Sequence, residues 1–163
     1  MQYTTYIDLA MQLIEQAEGF REHTYKCTAG FDTIGFGRNL ESNPLNPFEK
    51  LSCLTDSGTL EVSRRVARAW VYADIEKLHN SLSKESYYQK ADPVRKAVLL
   101  DLVFNLGLSK FRKFKKTIQA LESQDYKTAS LELEDSSWFR QVGIRARRNV
   151  YIMETGRVDK DFY

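Results

Sequence analysis

Apolar side chains recur at helical spacing near the start of the chain. One face of a helix predicted over residues 5–18 carries Ile7, Ala10, Met11, Ile14 and Ala17. Thr5 and Asp8 can form a capping box at its start, and Gly19 follows as a stop. Glu18 then lies in the last turn, where the helix dipole disfavours negative charge. Because this position does not favour a carboxylate, we expect Glu18 to have a role other than stabilising the helix.

Residues 21–37 change to strand-forming types, which are Tyr25, Cys27, Phe31, Thr33, Ile34 and Phe36. The pattern predicts a β-hairpin that turns at residues 28–30, with Cys27 on its first strand and Thr33 on its second. Gly35 and Gly37 alternate with apolar residues, which indicates close backbone approach. Residues 41–58 are predicted to be mostly loop, with room for a short helix or an edge strand.

Helical patterns dominate the rest of the chain. A long helix is predicted from Thr59 to about Leu82, and its apolar face shifts midway, as in a helix that contacts two lobes in turn. Further helices are predicted at 93–106, around 111–121, near 126–133, and at 144–155. We therefore expect a mostly helical α+β fold with an N-terminal lobe (1–58), a connecting helix (59–82) and a helical C-terminal lobe (83–163), together one domain.

Composition narrows the class of protein. The 163 residues carry a formal charge of only +2, and no stretch reaches the roughly 20 apolar residues of a membrane span. Residues 1–14 lack a basic start, and Asp8 interrupts their apolar run, so they make a poor secretory signal. We expect a soluble, cytoplasmic chain. Cys27 and Cys53 are either two free thiols or one bridge, and no spacing suggests a zinc site.

A basic stretch could indicate nucleic-acid binding. It consists of Lys110, Arg112, Lys113, Lys115 and Lys116, with Phe111 and Phe114 between them. Helical spacing places the two phenylalanines on an inner face, so a solvated basic face is favoured and no nucleic-acid partner is expected.

Candidate chemistry centres on Glu18, Cys27 and Thr33. A helix end that feeds into a hairpin, and strands that pair, can bring these side chains to one place. Glycoside hydrolysis needs a protonated acid for the leaving oxygen and a second group that activates water or captures the sugar. From the residues alone, an ordinary surface glutamate and a packed cysteine remain open alternatives.

The sequence resembles the T-even phage lysozymes of glycoside hydrolase family 24. The likeness is carried by Glu18-Gly19-Phe20-Arg21, Tyr25-Lys26-Cys27-Thr28-Ala29-Gly30 and Thr33-Ile34-Gly35-Phe36-Gly37. The family pattern is Glu, eight residues, Asp or Cys, five residues, Thr, and this chain has that spacing. The likeness continues to Thr155-Gly156 and is thinnest over 39–57.

The resemblance implies a two-lobed fold and a set of roles. Glu18 matches the general acid, which must carry a proton near neutral pH. Cys27 matches the second catalytic residue and would act as base or nucleophile, while Thr33 matches the residue that helps to place the attacking water. Arg145 matches an arginine that pairs with the catalytic glutamate, although a solvated charge is the alternative. Inverting or retaining chemistry is left open.

Four further positions match sugar contacts of the family: Asn39, Phe104, Thr117 and Glu132. Asn39 and Glu132 differ in residue type from the family pattern, Phe104 could be plain core, and Thr117 could be an ordinary helix residue. Another departure is Arg38, which stands where the family often has a histidine paired with an acidic residue. Arg38 could keep an ion pair or face water.

The resemblance also implies a substrate and a setting. The expected reaction is hydrolysis of the β-1,4 bond between N-acetylmuramic acid and N-acetylglucosamine in peptidoglycan, with no metal or cofactor. A monomeric phage endolysin would wait in the host cytoplasm, without stable membrane association, until a holin opens the way to the periplasmic wall. Alternatives are a bacterial or prophage effector muramidase and a catalytically silent peptidoglycan-binding protein.

Overall fold

The computed structural model describes residues 5–159, within which the backbone forms helices and a small antiparallel sheet. The strands are β1 Arg21–Lys26, β2 Asp32–Gly35 and β3 Arg38–Asn39, in the order β1-β2-β3. The helices are α1 Tyr6–Glu18, α2 Pro47–Cys53, α3 Arg64–Leu82, α4 Ser86–Lys90, α5 Pro93–Leu106, α6 Leu108–Phe111, α7 Lys115–Glu122, α8 Tyr126–Glu134, α9 Ser137–Val142 and α10 Ile144–Thr155. The prediction of a mostly helical α+β fold is confirmed.

Helix α1 begins and ends where its sequence signals lie. The Asp8 amide donates to Thr5 Oγ1 at 3.1 Å, and the Thr5 amide donates to Asp8 Oδ2 at 3.0 Å, which completes a capping box. The buried face carries Leu9, Ala10, Met11, Leu13 and Ile14. Gly19 follows with φ +68°, a conformation that suits glycine. Glu18 is therefore the last residue of α1, as predicted.

The hairpin forms as predicted except at Cys27. Tyr25 pairs with Thr33 across β1 and β2, and Thr33 pairs with Asn39 across β2 and β3. The prediction that Cys27 lies on the first strand is wrong, because β1 ends one residue earlier. The Cys27 amide donates to Phe31 O at 3.0 Å, and its carbonyl accepts from the amide of residue 30, so Cys27 closes the turn.

The segment before the long helix is more ordered than the sequence indicated. Helix α2 starts after Asn46, whose side chain accepts from the Glu49 amide, while the Glu49 carboxylate accepts from the Asn46 amide. The long helix starts at Arg64 and not at Thr59, because nearby backbone makes bridges instead. Leu60 pairs with Leu54, and residue 61 pairs with residue 23.

The helical segments after α3 differ from the prediction in number. The helix predicted around 111–121 is two helices, α6 and α7, and α4 and α9 were not predicted. Phe111 is fully buried, as the inner-face prediction expects, and it stacks on Phe114, which is only half-buried. Among residues 5–159, no helix has the length and apolar character to cross a bilayer.

The chain divides into two compact units. Glu15–Ala73 form one, and the described parts of residues 1–14 and 74–163 form the other. The boundary falls within α1 and within α3. In the second unit, α5 is buried along most of its length and packs against α10, which also packs against α8 and α9.

Candidate active site

The carboxyl group of Glu18 lies against the backbone of Gly37. A Cβ atom placed on Gly37 would fall 2.7 Å from Glu18 Oε2, closer than atoms can pack. Gly37 lies in the turn between β2 and β3 with φ +77°, a backbone conformation that glycine adopts easily. Because glycine has no side chain, the Glu18 carboxyl can lie directly against its backbone. The side chain of Glu18 is half-buried and fixed on the hairpin, not on an open surface.

Cys27 is a free thiol held among hydrogen-bond donors of its own turn. The backbone amide of Phe31 contributes most, with further bonds from the amides of Ala29 and Gly30 and from the Thr33 side chain. These bonds stabilise the thiolate and hold the pKa of Cys27 below its ordinary value, although desolvation opposes them. The turn therefore favours the reactive form of the sulfur.

Thr33 lies beside Cys27 with its side chain 3% exposed. Its hydroxyl donates to Phe31 O at 3.0 Å and also lies in hydrogen-bonding range of the Cys27 sulfur. A hydroxyl has one proton and two acceptor lone pairs. The proton can go to Phe31 O or to the Cys27 thiolate, and in either case a lone pair of the hydroxyl oxygen is left to accept a hydrogen bond from a water molecule.

Tyr25 links the two parts of the site, and sequence reasoning did not single it out. Burial raises the pKa of the Tyr25 hydroxyl; the Arg21 charge lowers it, and the charges of Glu18 and Cys27 raise it further. Tyr25 is therefore within electrostatic range of both candidate catalytic groups. Its only sequence signal was a strand position directly opposite Thr33.

Arg38 keeps an ion pair, which decides between the two alternatives left by the sequence. Its guanidinium forms a bidentate pair with Glu49, at 3.0 Å and 2.9 Å. Glu49 belongs to the same compact unit as Arg38, eleven residues further along the chain.

Asn39 lies half-buried at the end of β3. Its Oδ1 atom accepts from the backbone amides of Glu41 and Ser42, at 2.9 Å and 3.2 Å. The oxygen of the side chain thus organises the loop after β3, and its role toward sugar stays a prediction.

The other predicted site residues belong to the second unit. Arg145 is 9% exposed and donates to Asp101 Oδ1 at 2.9 Å, so the solvated-charge alternative is wrong. Its pairing with Glu18 stays a prediction. Phe104 is half-buried, Thr117 is 2% exposed, and Glu132 lines an open groove of about 410 Å³ with Lys116 and Gln119. The sugar contacts expected of Phe104, Thr117 and Glu132 stay predictions.

The described residues contain no group of three or more histidine, cysteine or acidic side chains arranged to hold a metal ion. The candidate groups described at the sheet are a carboxyl group, a thiol and a hydroxyl.

Comparison with models of protein families shows to which family the chain belongs. The family model of phage lysozymes matches residues 15–150, which include the hairpin and Glu18. The chain belongs to the phage lysozyme family. It is therefore a glycoside hydrolase of the lysozyme type, with peptidoglycan as its class of substrate. This result confirms the predicted family.

Curated relatives agree with the assignment. The chain is 28% identical to Probable T4-type lysozyme 2 of Dictyostelium discoideum, with 88% of this chain and 92% of that protein covered. It is 24% identical to Probable T4-type lysozyme 1 of the same organism, with 90% and 94% covered. The Pre-baseplate central spike protein Gp5 of Enterobacteria phage T4 is 22% identical over 91% of this chain, but only 28% of that protein is covered.

Proposed function

We propose that this lysozyme hydrolyses the β-1,4 linkage between N-acetylmuramic acid and N-acetylglucosamine, with Glu18 as general acid. The observation that carries the proposal is the packing of the Glu18 carboxyl against Gly37, in the small sheet whose first turn holds Cys27 and whose strand β2 holds Thr33. Glycoside hydrolysis needs an acid and a second group that activates water or captures the sugar, and Glu18 and Cys27 are of the right types for these two tasks.

In the proposed reaction, Glu18 donates its proton to the glycosidic oxygen while the bond from that oxygen to the anomeric carbon breaks. Water adds to the anomeric carbon, and its proton passes to the Cys27 thiolate. Thr33 accepts a hydrogen bond from this water and orients it. Proton exchange with solvent then returns Glu18 to the acid and Cys27 to the thiolate.

A second course uses the same residues. The Cys27 sulfur attacks the anomeric carbon and forms a thioglycoside as the leaving oxygen takes the Glu18 proton. Water then displaces the sulfur, and the Glu18 carboxylate accepts a proton from that water. The first course inverts the anomeric configuration, and the second retains it.

The remaining predicted residues complete the proposal. Arg145 orients Glu18, and the glycan is contacted by Asn39, Phe104, Thr117 and Glu132. The half-buried side chains of Phe104 and Glu132 support such contacts, because a sugar could cover the part that is exposed.

The bond that is cut is tested by mass spectrometry of purified peptidoglycan after digestion. The proposal predicts disaccharide-peptides that end in hydrolysed N-acetylmuramic acid. Anhydro sugar ends or free peptide fragments would contradict it. Binding to the wall without new reducing ends would instead support the silent, glycan-binding alternative.

The role of Cys27 is tested with Cys27→Ser and Cys27→Asp. Serine replaces the thiol, whose pKa the turn lowers, with a hydroxyl that does not form an anion in its place, so kcat should fall by about a hundredfold or more. Aspartate restores an anion and should keep kcat within about tenfold of the parent. Equal activity of Cys27→Ser and the parent would remove the thiolate from the reaction. NMR of the first anomer released separates the inverting course from the retaining one.

We further propose a monomeric endolysin that collects in the host cytoplasm and reaches the wall through a holin. Expression in a Gram-negative host should then cause lysis only after the inner membrane is permeabilised. The Dictyostelium discoideum relatives favour, as second candidate, a muramidase outside the phage life cycle, such as an effector. Lysis without permeabilisation would support that candidate.

A further inference from the structure

Arg38 ties together several segments of the N-terminal unit. Besides its bidentate pair with Glu49, Nε donates to Asn43 O at 3.0 Å and Nη2 donates to Pro44 O at 2.8 Å. The guanidinium also lies over the Trp70 ring, 4.5 Å from its centroid. Strand β3, the loop after it, helix α2 and helix α3 thus meet at one side chain.

These contacts depend on the shape of the guanidinium. A planar fork of donors can meet both oxygens of a carboxylate and still reach two carbonyl groups, whereas an ammonium group is a single point of charge. The side chain of Arg38 is only 11% exposed, so solvent screens its contacts little. The anchorage of Arg38 is therefore stiff as well as charged.

The anchored residue comes directly after Gly37. The backbone of Arg38 pairs with Ile34 across β2 and β3, so Gly37 lies in the short turn between two fixed residues. Gly37 is also the backbone against which the Glu18 carboxyl is packed. A shift of Arg38 would therefore also move the Gly37 backbone, which we call the Gly37 wall because it limits where the Glu18 carboxyl can lie.

We propose that Arg38, braced by Glu49, is a positioning residue that holds the Gly37 wall and thereby the carboxyl of Glu18 in its reactive place. The proposal rests on the proposed function of Glu18 as general acid. It assigns to Arg38 no contact with the substrate. A displacement of an acid by a fraction of an ångström lowers kcat while substrate binding is kept.

Arg95 offers a matched control in the other unit. It pairs with Asp92 at 2.7 Å, donates to Met153 O and Glu154 O, and lies over the Tyr126 ring. Its side chain is 15% exposed. Arg95 thus has the same kind of anchorage as Arg38, but its contacts include none of the proposed catalytic residues.

The experiment compares Arg38→Lys with Arg95→Lys in the full chain. Kinetics on purified peptidoglycan should show kcat about tenfold lower for Arg38→Lys, with the apparent KM within about twofold of the parent. For Arg95→Lys, kcat should stay within about twofold. In ¹H–¹⁵N spectra, the amides of Glu18 and Gly37 should shift in Arg38→Lys and stay in place in Arg95→Lys.

Glu49→Gln provides a second variant in case Arg38→Lys does not fold. It keeps a hydrogen-bonding group of the same size but removes the charge, so kcat should fall in the same direction by a smaller factor. Equal losses of kcat in the Arg38 and Arg95 variants, or unchanged amides of Glu18 and Gly37, would overturn the proposal.

The amide shifts do not depend on activity. If Glu18→Gln proves active while the amides of Glu18 and Gly37 still shift in Arg38→Lys, the role of Glu18 as acid fails and the positioning by Arg38 stands. If Glu18→Gln is inactive and the amide signals of Glu18 and Gly37 do not shift in Arg38→Lys, the positioning role of Arg38 is wrong and the role of Glu18 as general acid is supported.

Discussion

Gly37 forms the wall against which the Glu18 carboxyl rests, with room for a hydrogen atom and none for a methyl group. The contact joins the end of helix α1 to the turn between β2 and β3. A flexible carboxylate has many rotamers, and packing against backbone removes most of them. The shape of the backbone thus limits where the proposed acid can lie.

Replacing Gly37 with alanine should abolish most activity at a modest cost in stability. The new Cβ would displace the Glu18 carboxylate, and φ +77° would strain the alanine by about 1 kcal/mol. We expect kcat to fall by about tenfold or more. Urea denaturation and wall-digestion kinetics give the two readouts.

Gly58→Ala is the matched control for Gly37→Ala. Gly58 has φ +81°, and nothing lies within 4 Å of a Cβ placed on it. The variant should lose about the same stability, about 1 kcal/mol, and keep its kcat. Equal activities of the two alanine variants would show that the Gly37 contact has no part in the reaction.

The two cysteines should react with iodoacetamide at different pH. Only the thiolate reacts, so a lowered pKa moves the rise of the rate to lower pH and a raised pKa moves it to higher pH. Phe31 and its neighbours lower the pKa of Cys27, whereas burial raises that of Cys53. Mass spectrometry of alkylated peptides should give a midpoint below 9.0, the ordinary thiol value, for Cys27 and slow modification of Cys53.

Thr33→Val tests the source of that effect, because valine keeps the shape of threonine and removes the hydroxyl. The midpoint for Cys27 should rise toward 9.0 but stay below it, since the backbone amides remain. A midpoint at or above 9.0 in the parent chain would contradict the proposed thiolate.

Asp101 should be among the residues on which stability depends most. It is fully buried and accepts hydrogen bonds from Arg145, Arg148 and Asn149, the last at 2.6 Å. Asp101→Asn removes the negative charge between two buried arginines, so the free energy of unfolding should fall by about 3–5 kcal/mol. Equilibrium urea denaturation measures this change.

Asp74→Asn is the control for Asp101→Asn. Asp74 pairs with Lys77 at 3.6 Å on the surface of α3, with 36% of its side chain exposed. Such pairs contribute about 0.5 kcal/mol or less. A loss for Asp101→Asn as small as that for Asp74→Asn would mean that the buried network contributes little.

Helices with local start and stop signals could be predicted from the sequence. Helix α5 has Asp92 at its cap and Gly107 after its last residue, and α10 has Gly156 after its last residue. The helix predicted around 111–121 failed because Phe111 and Phe114 keep helical spacing across a tight turn. There the Phe114 amide donates to Phe111 O, three residues back, and this turn separates α6 from α7.

Features that depend on distant backbone could not be predicted. Residues 60–62 read as the start of a helix, but the Glu61 amide donates to Cys53 O and the Val62 amide donates to Glu22 O. The contacts of the candidate active site also depend on residues far apart in the chain. The alternating glycines indicated that the backbone near Gly37 approaches another group closely, but not that this group is Glu18. Nor does any periodicity connect Arg38 with Glu49.

The activity of Glu18→Gln tests the central claim most directly. Glutamine keeps the size of the side chain and its place against Gly37, but it cannot donate the acidic proton. We predict a chain with the circular dichroism and urea midpoint of a folded protein, no clearing of permeabilised Gram-negative cells and no new reducing ends from purified peptidoglycan. A folded Glu18→Gln chain that clears cells at a rate near the parent's would contradict the account.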